Sequence, residues 1–291
     1  MSEAAYDASF YADLQEGARR SARHVLPMVF ERIKPASVVD FGCGSGGWLA
    51  EAEALGADCF GLDGPWVPQD ALEIAAERFQ VADLTRPVKL GRSFDLALCL
   101  EVAEHLPAEA GAILIQTLTS HAPAVLFSAA IPGQGGTDHV NEAWPEVWHG
   151  HFAEAGFDCH DIIRSAIWAD ARIEPWYRQN LLLFIRRDPG RAAGDQSAPQ
   201  RLVHPEIWSA RIQELQALSA QQRAAEAEVA RLGNAWQNLA DENAHLTDVI
   251  AHLEAEIVTG KAALAEILHS RSWRLTEPLR KLDAVLRRPG K

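Results

Sequence analysis

Four acidic residues stand where short apolar runs end. They are Asp40 in S-V-V-D-F, Asp63 in C-F-G-L-D, Asp83 in F-Q-V-A-D, and Glu101 directly after F-D-L-A-L-C-L. Between the first and second lies a glycine-rich loop, Gly42-Cys43-Gly44-Ser45-Gly46-Gly47. Glycine has no Cβ, so such a loop turns tightly and brings the backbone close to a ligand. The helix that follows offers unpaired N–H groups at its start. The spacing of Gly42, Gly44 and Gly47 fits G-x-G-x-x-G, the dinucleotide fingerprint. Asp40 argues against that ligand, because a carboxylate there opposes a pyrophosphate and suits an ammonium group. Asp63 is placed to accept from ribose hydroxyls, and Asp83 from an adenine amino group. A ligand with a cationic head, a ribose and an adenine uses all four acids. Helix capping is the plainer role for any one of them.

These residues need a sheet to bring them together. Apolar runs at 37–41, 59–63, 79–83, 94–100, 124–131 and 181–185 read as strands. Helical stretches lie between them, at 47–55, 108–120 and 145–155 among others. Strands alternating with helices predict βαβ units and a mainly parallel sheet covered on both faces. Ligands of such sheets bind outside the carboxyl ends of the strands.

The ordered series D-F-G-C-G-S-G, G-L-D-G, A-D-L and F-D-L-A-L-C-L-E-V-A-E-H-L resembles the motif set of class I S-adenosylmethionine-dependent methyltransferases. The motifs cover residues 37–106, and the strand–helix rhythm extends to 187. The resemblance implies a Rossmann-like α/β fold with a seven-stranded, mostly parallel sheet whose last strand is antiparallel. It implies S-adenosyl-L-methionine as cofactor. By position, Gly42, Cys43, Gly44 and Gly46 would line its methionine side, with Asp40 and the Leu100–Glu101 backbone nearby. Asp63 would hold the ribose and Asp83 the adenine.

The acceptor side is read from I-P-G-Q-G-G-T-D-H-V-N-E, residues 131–142, after the fifth strand. Methyl transfer is an in-line displacement, so it needs alignment and a deprotonated nucleophile. His139 has a pKa suited to taking a hydroxyl proton. Asp138 or Glu142 is placed to orient it, and a surface histidine bonded to a carbonyl is the plainer role. His105 competes as base. A second cluster, Trp168, Trp176, Tyr177, Arg178 and Asn180, suits either a sugar or a hydrophobic cover on the sheet. Segments 133–144 and 174–180 also resemble bacterial methyltransferases associated with cell-surface glycan synthesis. A saccharide or glycolipid acceptor follows from that likeness.

The domain expectations are 1–187 for the cofactor-binding domain, 188–205 for a linker rich in Pro, Gly and polar residues, 206–268 for a coiled coil, and 269–291 for a basic amphipathic tail. From Leu215 to Ile267, thirteen of sixteen a and d positions are apolar. A helix of that length is a rod of roughly 80 Å, too long to bury its stripe alone. Val and Ile at a, Leu at d, and Asn243 at an a position favour a parallel homodimer. Gly233 and Gly260 predict a local bend. Residues 269–291 carry seven basic and two acidic side chains. S-W-R-L-T-E-P-L-R, 272–280, resembles a segment that follows coiled coils in some envelope glycosyltransferases. Contact with an anionic membrane surface or with a partner protein would use it.

The composition excludes other classes. A net charge of −13 disfavours binding to a phosphate backbone. No run approaches the ~18 apolar residues of a membrane span, and residues 1–12 predict no signal peptide. The four cysteines, Cys43, Cys59, Cys99 and Cys159, lack metal or disulfide spacing and read as buried thiols in a reducing cytoplasm. Two rival functions remain from the sequence: an NAD-dependent oxidoreductase, and a non-catalytic assembly module built around the coiled coil.

Overall fold

The computed structural model describes residues 8–188 and 198–286. The middle of the predicted linker, 189–197, and the end of the basic tail, 287–291, lie outside the described residues. The chain divides into two compact units, Met1–Leu215 and Gln216–Lys291.

The first unit runs α1 (Ala8–Ile33), β1 (Ser37–Phe41), α2 (Gly47–Ala54), β2 (Asp58–Asp63), β3 (Phe79–Val81), β4 (Leu96–Leu100), α3 (Gly111–His121), β5 (Ala124–Ser128), α4 (Pro145–Glu154), β6 (Phe157–His160), α5 (Ile163–Ile167), α6 (Pro175–Asn180) and β7 (Leu182–Arg186). The strand order is β3-β2-β1-β4-β5-β7-β6. β7 is antiparallel to β5 and β6, and the remaining pairs are parallel. This is the seven-stranded sheet that the motif series implies.

Side-chain alternation along the central strands builds two cores. Leu96, Leu98 and Leu100 of β4 face one core with Leu126 of β5 and the α1 residues Val25, Leu26 and Val29. Ala97 and Cys99 face the other, with Val125, Phe127 and the helical residues Leu114, Leu118, Trp148 and Phe152. A period of two with both faces apolar is what a sheet under helices on each side requires.

Departures from the sequence expectations are local. β4 starts at Leu96 rather than at 94 because the Asp95 carboxylate is taken by the chain entering β1. It accepts from Ala36 N and Ser37 N, both at 2.9 Å, and from Ser37 Oγ at 3.0 Å. The sixth strand, F-D-C-H, was not read from the sequence. It is four residues long, and three of its four positions are only half-buried, so it lacks an apolar run. The first unit also extends past residue 187. Gln200 O accepts from Arg164, Arg201 lies over Trp144, and His204 is buried.

The long helix α7 (Pro205–His269) runs unbroken through Gly233 and Gly260. Its a and d side chains, among them Val229, Trp236, Leu239, Ile250 and Ile257, are exposed. After it come α8 (Arg271–Leu275) and α9 (Glu277–Leu286). Ser270 caps α8 by accepting from Trp273 N, and the Arg280 guanidinium lies 3.6 Å from the Trp273 ring centre.

The packing between β7 and α4 is tightest at Phe184, whose ring stacks on Phe152 at 3.8 Å between centres. Phe184→Ala removes that ring from a fully buried position. We expect a loss of about 3–5 kcal/mol in denaturant-induced unfolding of the first unit, with no change in the helicity of α7.

Candidate functional site

The strand order reverses between β1 and β4, so the connections leave in opposite directions and the carboxyl ends open a crevice there. The glycine loop borders it. Gly42, Gly44 and Gly46 all have positive φ, at 89°, 54° and 94°. A Cβ on Gly42 would stand 2.4 Å from Val102 Cγ2, whereas one on Gly44 would meet nothing within 4 Å. The loop is held by β2: Leu62 O accepts from Gly42 N and Cys43 N. The Asp63 carboxylate accepts from Gly44 N at 2.7 Å and from Gly64 N at 2.6 Å. The Cys43 side chain packs inward, and burial pushes its thiol up. Only its backbone faces the loop's task.

Asp40 sits at the base of this loop, buried, and its Oδ1 has no hydrogen-bond partner. Burial first, and the charge of Asp63 second, raise its pKa to about 7. A buried acceptor without a donor calls for a ligand that supplies one. That orphaned oxygen and the open space over Gly44 fit a nucleoside with an ammonium head.

Glu101 follows β4 with φ 55°. Its N–H donates to Ser128 O and Oγ, at 3.0 and 3.1 Å. Its carboxylate accepts from Asn180 Nδ2 at 3.1 Å and Gln134 Nε2 at 3.2 Å. Burial raises its pKa nonetheless. Asp83 differs from the other acids. It is exposed, and one oxygen is occupied by the Thr85 amide and hydroxyl, at 3.0 and 2.6 Å. It closes the turn after β3, and no helix follows there for it to cap.

On the acceptor side His139 is half-buried, and its Nδ1 lies 3.1 Å from Glu142 Oε1. Glu142 is fixed in turn by the amides of Gly133 and Gly135, at 2.7 and 2.8 Å. Asp138 does not orient His139. It is exposed with φ 57°, a left-handed turn, and it meets His105 through its main-chain carbonyl. The rings of His105 and His139 pack edge to face, 4.9 Å between centres. The two candidate bases therefore stand together.

The aromatic–polar cluster before β7 is internal. Tyr177 OH accepts from Trp48 Nε1, the buried Arg178 pairs with Glu206, Asn180 holds Glu101, and Trp168 packs on His204. The sugar reading of that cluster gives way to the cover reading. The residue that sequence reasoning missed is Glu104. It is buried, Ala130 N donates to its Oε1 at 3.2 Å, and its main-chain oxygen accepts from Val140 and Asn141. The signal was its place three residues after Glu101 and directly before His105.

A family described as a methyltransferase domain matches residues 14–161, just over half of the chain. The chain belongs to that family. The match sets aside the nicotinamide reading, and S-adenosylmethionine is the cofactor of this domain. Among curated relatives, a ubiquinone biosynthesis O-methyltransferase of Acinetobacter baylyi is 38% identical over 101 residues, covering 31% of this chain and 42% of the relative. A probable tocopherol O-methyltransferase, chloroplastic, of Oryza sativa subsp. japonica is 34% identical over 119 residues, covering 35% of this chain and 33% of the relative. The chain thus spans less than half of either relative's length. A solved sugar N-methyltransferase, KedS8 from Streptoalloteichus, shares the fold at TM-score 0.50 and 19% identity, over 65% of this chain and 98% of that one.

The two loop glycines separate folding from binding. Gly42→Ala forces a side chain into Val102 at positive φ and should lower the melting temperature. Gly44→Ala has room and should cost only about 1–2 kcal/mol. It should nonetheless weaken S-adenosylhomocysteine binding at least tenfold by calorimetry.

Proposed function

We propose that this methyltransferase transfers the methyl group of S-adenosylmethionine to a hydroxyl of a saccharide or glycolipid intermediate of cell-surface polysaccharide synthesis. The observation that carries the reading is the buried, unpartnered Asp40 oxygen beside an open glycine turn. The cofactor supplies an electrophilic methyl on a sulfonium and leaves as S-adenosylhomocysteine. Asp40 accepts from its ammonium group, and Asp63 from the ribose. The main chain of Gly42, Gly44, Gly46, Leu100 and Glu101 borders the methionine part. Asp83 keeps a second oxygen, 3.3 Å from Arg86, that an adenine amino group would share. His139, with Nδ1 held by Glu142, takes the hydroxyl proton at Nε2 as the acceptor oxygen bonds to the methyl carbon. Both curated relatives are O-methyltransferases by name, which supports oxygen as the nucleophile. The saccharide class rests on the likeness of segments 133–144 and 174–180 to glycan-associated enzymes.

We also propose that α7 pairs with α7 of a second copy. Its sixteen a and d positions form one self-complementary stripe, exposed along its length. Asn243 meets its counterpart only in a parallel, in-register pair. In that arrangement Glu256 at g reaches Lys261 at e of the other chain. Light scattering should give a dimer, and Leu239→Asp with Leu246→Asp should give a monomer that still binds S-adenosylhomocysteine. No helix among the described residues is long and apolar enough to cross a membrane. We place the protein in the cytoplasm, with Arg280, Lys281, Leu279 and Leu282 of α9 meeting an anionic inner membrane surface.

Two measurements test the catalytic reading. Asp40 holds its proton up to about pH 7 in the ligand-free protein, and an ammonium group needs it ionised. Affinity for S-adenosylhomocysteine should therefore rise with pH, by up to about tenfold per unit below 7, and level off above. Asp40→Asn should flatten that profile. His139→Ala should cut turnover about 10²–10⁴-fold while cofactor affinity stays within twofold. A chain that binds the cofactor yet methylates no saccharide in a broad panel would favour the assembly-module reading.

A further inference from the structure

Glu104 is fully buried, and its Oε2 meets no donor. Its close neighbour is a second carboxylate, the half-buried Glu101. Two carboxylates cannot stay ionised side by side without a positive charge between or beside them. Two imidazoles stand next to them. A carboxylate oxygen of Glu104 and one ring nitrogen each from His105 and His139 lie within 4.8 Å of one another. Among the described residues this is the one trio of such groups so disposed.

The surroundings fit ligation rather than mere proximity. An imidazole that binds a metal through one nitrogen commonly donates its other N–H to a carboxylate or a carbonyl. His139 Nδ1 faces Glu142, which leaves Nε2 available. His105 bonds the Asp138 carbonyl. The inner face of His105 packs against the His139 ring. Its outer edge is exposed, so an ion has a way in. Ligand atoms held about 2.1 Å from one ion lie about 3–4 Å apart, so a small rotation of either ring closes the set.

We propose that Glu104, His105 and His139 bind one divalent first-row transition ion, with Glu101 beside them. Two imidazole nitrogens with carboxylate oxygen suit Mn²⁺, Fe²⁺, Co²⁺ or Zn²⁺ better than Mg²⁺ or Ca²⁺. Three protein ligands leave coordination positions open. This deepens the hydroxyl-methylation reading and rests on it only for the ion's purpose: a hydroxyl next to a cation loses its proton more readily. With the ion bound, His139 is a ligand rather than the proton acceptor proposed for the ion-free chain, and the proton goes to solvent.

The test uses the full chain stripped with a chelator and titrated with Mn²⁺, with free Mn²⁺ followed by electron paramagnetic resonance. We expect one saturable site per chain that equal Mg²⁺ does not empty. Glu104→Gln and His105→Ala should each weaken it at least tenfold, and Glu142→Gln about 10–100-fold. Absence of a saturable site, or affinity unchanged in both Glu104→Gln and His105→Ala, would overturn the proposal. Should those variants lose their circular dichroism, Co²⁺ added to the unaltered chain decides. Visible bands of imidazole-ligated cobalt support the site, and their absence removes it. Calorimetry with S-adenosylhomocysteine is run separately. A chain that holds Mn²⁺ but not this nucleoside would retire the cofactor reading and leave the ion site standing.

Discussion

A carboxylate withheld from water is stable only with a donor, a cation or its own proton. Four acids near the strand ends, Asp40 and Glu104 buried and Asp63 and Glu101 half-buried, meet that condition differently. Asp63 meets it with the amides of Gly44 and Gly64. Glu101 meets it with the side-chain amides of Asn180 and Gln134. Asp40 and Glu104 each keep one oxygen with no donor. One of these unfinished acids lies under the glycine turn and the other beside the paired imidazoles. The sheet makes this arrangement available, because parallel strands end along one edge and the order reversal sends the connections after β1 and β4 in opposite directions.

Much of this was legible in the sequence, for reasons that differ by element. β1 was read to the residue because an apolar run stops at glycines, and glycines at positive φ are what that turn needs. The placing of Asp40, Asp63 and Glu101 at strand ends was legible because each closes an apolar run. Asp83 shows the limit of that logic. The same residue type that meets an amino group also closes a turn, and Thr85 two residues on settles the local geometry. β6 was illegible because an edge strand with half-exposed positions has no apolar run to announce it. Glu104 was overlooked because a glutamate in a short turn reads as solvated. Its burial comes from a loop about 30 residues away, and spacing along the chain does not record that. Asp138 looked like the partner of His139 by adjacency, but neighbours in a left-handed turn point apart, and the residue three positions on reaches the ring instead.

The glycine-rich loop after β5 is less loose than its composition suggests. Glu142 takes two of its amides, and the main-chain oxygen of Glu104 takes two more, from Val140 and Asn141. Asn141 Nδ2 adds a bond to Ala103 O at 3.3 Å. The acceptor loop is thereby sewn to the short turn after β4, and one residue, Glu104, belongs to both. His139 owes its place to that stitching rather than to packing of its own ring alone.

The six residues of α6 stand between two duties. Arg178 grips Glu206 in the first turn of α7, at 2.7 and 3.1 Å, while Asn180 steadies Glu101. The anchor of the rod and the brace of the crevice are therefore two residues apart on one short helical turn. A substitution that loosens this short helical turn would therefore reach both contacts at once, the first turn of α7 and the carboxylate of Glu101.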